Sequence, residues 1–257
     1  MSYALITGAS KGIGKAIAFE LAKHNYDLLL TARSGDLLSQ TSEEIKKLYP
    51  VTIHFFSLDL SELNASQKLF DWCIENNFPV SILVNNAGFG LSGSFENFLL
   101  KEINDLLQLN IIVPTQLCRL FIPLLKQQTQ SYILNVCSST AYQAVPLLAV
   151  YAAAKAYILR FTRALKHEFA DTNISVTCLS PGPTDTDWAK NAKMSDKVLK
   201  MADRFNMAPQ KVAAIGVKAM FKNRTEVIAG FTNKLGAFVA WLLPDSFVEK
   251  TTGKLYK

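Results

Sequence analysis

Tyr151 and Lys155 stand one helical turn apart in the run Tyr151-Ala152-Ala153-Ala154-Lys155. The three alanines, and then Lys155, Leu159, Arg160 and Leu165, are strong helix formers. Tyr151 is therefore expected near a helix start, with Lys155 above it on the same face. That pairing has a chemical use. A free tyrosine titrates near pH 10, too high for proton exchange in neutral water. A lysine ammonium about 4.5 Å away, at an effective dielectric of roughly 20, favours the phenolate by about 4 kcal/mol. That is roughly three powers of ten in ionisation, before desolvation of the lysine opposes it. Tyr151 then suits a general acid or base near neutral pH. Tyr–Lys pairs also occur on solvated helix faces, so the pair gains its meaning from the residues placed around it.

The second constellation is Thr7-Gly8-Ala9-Ser10-Lys11-Gly12-Ile13-Gly14, between an apolar strand (Tyr3 to Ile6) and a helix carrying Ala16, Ile17, Phe19, Leu21 and Ala22. Glycines permit the tight turn and a close approach of backbone to a ligand, and the helix N-terminus attracts a pyrophosphate. A second strand, Asp27 to Ala32, ends at Arg33, about 20 residues past the last glycine, where a dinucleotide fold reads its ribose. An acid there would bind the 2′-hydroxyl of NAD. Here stand Ala32 and Arg33, with Lys11 in the first turn, and two cations without an acid favour the 2′-phosphate of NADP.

These groups must be carried by a scaffold. Strands are expected at Val51 to Leu58, Ser81 to Val84, Tyr132 to Cys137, Asn173 to Leu179 and Glu226 to Ala229, with helices at Leu37 to Leu48, Leu63 to Ile74 and Phe98 to Lys126. The strands deliver, in turn, Asp59-Leu60, Asn85-Asn86-Ala87-Gly88, Ser138 and Ser180-Pro181-Gly182-Pro183-Thr184-Asp185-Thr186. Asp59 suits either a helix cap or an adenine contact. Asn110 lies inside the long helical stretch, and Pro114, lacking an N–H, frees the Asn110 carbonyl to hold a water. Alternation of strands and helices predicts an α/β fold: a Rossmann-type doubly wound parallel sheet of about seven strands with helices on both faces, in one domain spanning residues 1–257.

Composition narrows the function classes. The chain has 257 residues, 49% hydrophobic and 19% charged, enough for a substantial core. No apolar run approaches the roughly 20 residues of a membrane span, and Met1-Ser2 leads at once into a strand, leaving no room for a signal peptide. Cys73, Cys118, Cys137 and Cys178 form no CxxC pair and read as reduced thiols of a cytoplasmic protein. His24, His54 and His167 lack metal-ligand spacing. The net charge of +6 is spread without aromatic interleaving, so nucleic acid is not an expected partner.

Together, Thr7-Gly8-xxx-Gly12-x-Gly14, Asp59-Leu60, Asn85 to Gly88, Asn110, Ser138, Tyr151-xxx-Lys155 and Pro181-Gly182 resemble the short-chain dehydrogenase/reductase family, in order, over residues 3 to about 190. The resemblance implies hydride transfer between a nicotinamide and a carbonyl or alcohol carbon, with Asn110, Ser138, Tyr151 and Lys155 as the catalytic set. Ser139 competes with Ser138, and the spacing usual for the family favours Ser138. Tyr151 would exchange the proton, Ser138 would hydrogen-bond the substrate oxygen, Lys155 would tune Tyr151 and hold the ribose, and Asn110 would position a water. The resemblance also implies a cofactor set of Gly8, Ser10, Lys11, Gly12, Ile13, Gly14, Arg33, Asp59, Leu60, Asn86, Ala87, Gly88, Tyr151, Lys155, Pro181, Gly182, Thr184 and Thr186, taking NADP(H) in preference to NAD(H). The leading reading is a carbonyl reductase for an apolar small molecule. An oxidative alcohol dehydrogenase and a non-catalytic NADP-binding sensor are the alternatives.

Phe89, Leu91, Val145, Leu147, Leu148, Trp188 and Met194 are expected to form an apolar pocket under a lid around residues 185–210, which also carries Met201, Met207 and the cations Lys190, Lys193, Lys197, Lys200 and Arg204. A homodimer or homotetramer is expected through the helices from about Ile103 to Gln127 and Tyr151 to Ala170, because Ala152, Ala153, Ala156, Phe161 and Leu165 exceed what one sheet-facing stripe needs. The C-terminal segment 231–257 departs from the family. Its uncharged run Leu235 to Leu243, apolar nearly all round, needs cover from the subunit's own pocket, a second subunit or a membrane. The first two are preferred, because interfacial helices show a strongly polar face and this run has none.

Overall fold

The structure, a computed structural model, describes residues 2–192, 194–195, 198–200 and 205–256. Its elements are β1 (Tyr3–Thr7), α1 (Gly12–Lys23), β2 (Asp27–Ala32), α2 (Gly35–Lys46), β3 (Ile53–Ser57), α3 (Ala65–Glu75), β4 (Val80–Asn85), α4 (Leu100–Leu107), α5 (Val113–Lys126), β5 (Ser131–Val136), α6 (Ala149–Glu168), β6 (Ile174–Ser180), α7 (Trp188–Asn191), α8 (Pro209–Phe221), β7 (Glu226–Ile228), α9 (Phe231–Leu242) and α10 (Asp245–Tyr256). The strands form one seven-stranded sheet in the order β3-β2-β1-β4-β5-β6-β7, every pair parallel. Strand order reverses between β1 and β4, and in such sheets the crevice at the strands' carboxyl ends there receives the ligand.

Period-two alternation divides the core. Ala4, Ile6, Leu28, Leu30, Ile82 and Val84 point to one face, where they meet Ile17 and Leu21 of α1, Leu38 and Ile45 of α2, and Val212, Val217 and Met220 of α8. Leu5, Leu29, Leu83, Ile133 and Val176 point to the other, against Leu69 of α3, Leu117, Phe121 and Leu125 of α5, and Leu165 of α6. This is the doubly wound arrangement expected from the sequence. Helix α2 starts earlier than Leu37 because the Ser34 hydroxyl accepts from Leu37 N and caps it.

The stretch expected as one helix from Phe98 to Lys126 is broken in a useful place. Residues Gln108–Ile112 form a π turn between α4 and α5, closed by Val113 N–H on Gln108 O. Pro114 offers no N–H to Asn110 O, so the regular ladder cannot continue there. By length and composition, Leu100–Lys126 could cross a membrane. However, Lys101, Glu102, Asp105 and Arg119 interrupt its apolar run, and Val113, Leu117, Phe121 and Leu125 are buried in the sheet's core. On α6, Ala152 and Leu165 are buried within the subunit. The apolar surplus read from the sequence is therefore partly used internally, and Ala153 and Tyr157 remain exposed.

The C-terminal helices depart from one of the two preferred expectations, cover by the subunit's own pocket. Helix α9 packs on the 3-10 turn Ser139–Tyr142 and on β7. It does not close over the cleft: none of the described residues of 231–256 lines it. Of the lid cations, Lys190 and Lys200 are exposed, whereas Met201, Lys193, Lys197 and Arg204 lie outside the described residues.

Candidate active site

The turn after β1 is built around glycine. Gly8 and Gly12 have φ of 66° and 55°, conformations that cost other residues dearly. A Cβ on Gly14 would sit 2.3 Å from Gly8 O and 2.4 Å from Asn86 Nδ2, so only glycine lets α1 start this close to the turn. No side chain caps α1, which leaves its first N–H groups for an anion. The turn is tied to the end of β4. Asn86 Nδ2 donates to Thr7 O at 2.9 Å and Gly8 O at 3.2 Å, while Asn86 N and Ala87 N both donate to Thr7 Oγ1. Thr7, read from sequence only as part of a motif, is the pin that joins the two strand ends.

One cleft of about 1870 Å³ runs along the carboxyl edge of the sheet. It is lined by Gly8, Ser10, Lys11, Gly12 and Ile13, by Arg33, Asp59 and Leu60, by Asn86, Ala87 and Gly88, and by Ser138, Tyr151, Lys155, Pro181, Gly182, Thr184 and Thr186. Two expected residues stand behind the wall. Gly14 is at the turn, and Asn110, 1% exposed, supports the catalytic end.

At one end of the cleft, Asp59 is neither a helix cap nor free. Its Oδ1 accepts from Ser61 N at 2.9 Å and Ser61 Oγ at 2.7 Å. Partial burial would push its carboxyl up, but the Ser61 donors and the Arg33 and Lys101 cations hold it below the usual carboxylate range. Lys11 has a neighbour that no local pattern announces. Asp187, far along the chain, comes within 3.8 Å of Lys11 Nζ, so an acid does reach this lysine, although both side chains are 62% exposed and the pair is weak.

At the other end, the polar side chains are buried. Tyr151 and Lys155 lie in the first two turns of α6, each 6% exposed. Lys155 Nζ is 5.6 Å from the Tyr151 ring centroid and donates to Val136 O at 3.1 Å. Burial pulls the lysine below its ordinary range, against the opposing influence of Cys137 and Cys178. The desolvation anticipated from sequence is thus a main feature of the site. Gly88 makes room for it, since a Cβ there would be 2.6 Å from Asn110 Oδ1 and 3.5 Å from Lys155 Nζ. Asn110 Nδ2 donates to Phe89 O and Leu106 O, whereas the buried Oδ1 has no partner among the described residues. That acceptor, facing Lys155 across Gly88, suits a polar group or water bridging to the lysine.

Ser138 and Ser139 both line the cleft. Ser138 Oγ accepts from Thr140 N at 3.2 Å and Thr140 Oγ1 at 3.0 Å, which fixes the oxygen and leaves its proton to donate elsewhere. Ser139 is held by its backbone, N to Pro181 O at 2.7 Å. Trp188 packs on Tyr151 with ring centroids 4.8 Å apart, and any Cβ on Gly90 would strike its ring at 2.5 Å. Phe89, Leu148, Trp188 and Met194 line the cleft, with Leu91 and Val145 packed behind them. Leu147 does not: it turns at φ 67° and its carbonyl accepts from Gly93 N.

Sequence reading also missed a partly buried polar network behind the site. Tyr142 Oη donates to Glu226 Oε1 and accepts from Ser180 Oγ at 3.0 Å, and Glu226 is bound in turn by Arg163 Nε at 2.7 Å. These residues are distant in sequence and belong to no local motif. All four cysteines are free and buried. Burial pushes the Cys73 and Cys118 thiols up to about 12, so neither is a nucleophile.

Residues 2–197 match the short chain dehydrogenase family. Among curated relatives, the chain is 30% identical to mouse (Mus musculus) 17-beta-hydroxysteroid dehydrogenase type 3, over 91% of this chain and 76% of that protein. It is 30% identical to ketoacyl reductase HetN of Nostoc sp., over 87% and 77%. It is 31% identical to very-long-chain 3-oxoacyl-CoA reductase-B of Danio rerio, over 74% of this chain but only 62% of the relative. The fold superposes on a short-chain dehydrogenase from Sphingobium yanoikuyae in complex with NADPH, with a TM-score of 0.83 and 23% identity over 94% of this chain and 93% of that one. It also superposes on a short-chain dehydrogenase/reductase from Burkholderia phymatum in complex with NAD, with a TM-score of 0.82 and 20% identity over 92% of each. This chain belongs to the short-chain dehydrogenase/reductase family, and it is an oxidoreductase that works on hydroxyl or keto groups with a nicotinamide cofactor.

Proposed function

We propose that the protein is an NADP(H)-dependent carbonyl reductase for apolar ketones. The observation that carries this is the buried pair Tyr151–Lys155 beneath Trp188, Phe89, Leu148 and Met194: a proton donor and a cation at the base of an apolar wall. A bound nicotinamide dinucleotide supplies or accepts the hydride. The protein's own residues do the rest. Tyr151 gives its phenolic proton to the carbonyl oxygen, and Ser138 donates a hydrogen bond to the same oxygen. Lys155 stabilises the phenolate left behind, and Asn110 holds the lysine's surroundings. Gly8 to Gly14 and the start of α1 receive the pyrophosphate, and Pro181, Gly182, Thr184 and Thr186 take the nicotinamide end.

Preference for NADP rests on Arg33, with Lys11 as a lesser contributor because Asp187 competes for it. Relatives named as hydroxysteroid dehydrogenase and 3-oxoacyl-CoA reductase support a bulky apolar substrate. Residues 185–191, together with Met194, Val198, Phe205 and Asn206, line the cleft and fit a lid over one catalytic domain. The free thiols fit a cytoplasmic protein. A homo-oligomer through α4, α5 and α6 fits the exposed Ile112 and Tyr157, and sedimentation velocity giving monomer alone would overturn it.

The test of function is a panel of steroid, long-chain 3-oxoacyl and small ketones with NADPH and NADH, followed by cofactor absorbance, and of the matching alcohols with the oxidised cofactors. Reduction of the bulky ketones with NADPH is the expected result. Equal use of the two cofactors would sink the NADP assignment, and turnover confined to small polar carbonyls would sink the apolar one.

A further inference from the structure

Helix α9 is turned inside out for a helix on a soluble surface. Facing the protein are Asn233, Ala237 and Ala240, and Asn233 Nδ2 anchors the first turn on Ala229 O at 2.6 Å. The large side chains face water: Phe231 is 79% exposed, Leu235 51%, Phe238 54%, Trp241 78% and Leu242 62%. At 100° per residue, Phe231, Leu235, Phe238 and Leu242 fall within a sector of about 60°, opposite the anchored face. Phe247 of α10 is exposed as well. At about 200 Å² per aromatic side chain, the bare fractions of Phe231, Phe238, Trp241 and Phe247 alone amount to roughly 500 Å². With the leucines added, the patch exceeds the few hundred Å² usual for a soluble monomer.

Beside this helix, a concavity of about 580 Å³ at the β7 edge of the sheet is lined by Lys218, Lys222, Arg224 and Lys234 with one acid, Glu226. Glu226 is already engaged by Arg163 and Tyr142, so the four exposed cations dominate. Helix α10 adds the exposed Lys250 and Lys254 against Asp245 and Glu249. Apolar blade and cationic flank thus meet at Lys234.

We propose that α9, with its cationic flank, docks the protein on an anionic lipid surface. The sequence-level objection, that the run has no polar face of its own, falls away because the protein takes the place of that face. A second copy fits less well. A two-fold contact that included the flank would gather Lys218, Lys222, Arg224 and Lys234 of both copies in one interface, with no free acids from the flank to match them. Anionic headgroups complement both features, with aromatics at the interface and lysines at the headgroup level. The blade also adjoins the substrate end of the cleft. It packs on Ser139–Tyr142, and α10 holds the next loop through Gln143 Nε2 on Thr252 Oγ1 at 3.1 Å. This proposal does not depend on the proposed reaction, since its readout is binding.

The experiment is co-sedimentation of the full-length protein with vesicles of phosphatidylcholine, with and without phosphatidylglycerol. The protein should pellet with the anionic vesicles and be released by salt. Leu235→Ser/Phe238→Ser/Trp241→Ser should weaken binding by more than about tenfold, and Lys218→Gln/Lys222→Gln/Lys234→Gln by about a hundredfold. Brominated lipid should quench the unaltered protein, and that quenching should vanish in Trp241→Phe. Failure of the unaltered protein to pellet, or a triple serine variant that binds as well, overturns the proposal. So does a dimer that the serine variant splits while neither form binds vesicles.

Discussion

The two ends of the cleft solve different problems. At the end proposed to be catalytic, Tyr151, Lys155 and Asn110 are almost wholly buried, and burial pulls the lysine below its ordinary range. Away from it along the cleft, Lys11 and Asp187 are mostly exposed and Asp59 only partly shielded. Charges in water are screened and individually weak, whereas charges held in a protein interior interact strongly and cost much to misplace. One end should therefore respond to substitution by collapse of chemistry, and the other by graded changes in affinity.

The sharpest expected break is at Tyr151. Tyr151→Phe keeps the ring against Trp188 and removes the proton, so turnover should fall at least about 100-fold while calorimetry still shows the dinucleotide bound. Full activity in this variant would erase the distinction between the ends. Lys155→Met should be similarly inactive, yet its stability without cofactor should reveal the burial cost. Because the folded lysine titrates below its unfolded range near 10.4, the unfolded chain binds more protons between those two values, and wild-type stability should rise with pH across that window. The variant should lack that rise in thermal melts, and parallel melting curves for the two proteins would show that Lys155 is not desolvated.

Smaller effects follow. Ser138→Ala should lower kcat by about tenfold or more, as loss of a hydrogen bond to developing charge does, and Ser139→Ala should not. The reverse ranking in steady-state kinetics would move the role to Ser139. At the open end, Arg33→Ala should raise the KM for NADPH by about tenfold or more through one lost charge-assisted contact and barely touch NADH. Lys11→Ala should do so only a few-fold, as an exposed and already paired cation, and equal effects at the two positions would contradict the exposure argument.

The same contrast explains what could be read from the sequence. The glycine turn, Asn86 to Gly88, and Tyr151 with Lys155 are local: backbone freedom and helical periodicity place them without knowledge of their neighbours. The π turn at Asn110 was foreshadowed by Pro114. Asp187 beside Lys11, Trp188 on Tyr151 and Glu226 behind Tyr142 are products of chain crossings that no local pattern encodes. For residues 235–243, composition announced an apolar run, but only the packing of Ala237 and Ala240 shows that the bulky side chains face outward.

The central claim is that the buried lysine brings Tyr151 into proton exchange near neutral pH. It is tested most directly by the pH dependence of kcat/KM for alcohol oxidation, in which Tyr151 must accept the proton. The account predicts that the rate falls on the acid side through a break lying below the range of a free phenol, and that this break is absent from the residual activity of Tyr151→Phe. A rate that keeps climbing to about pH 10, where a free phenol titrates, would contradict it.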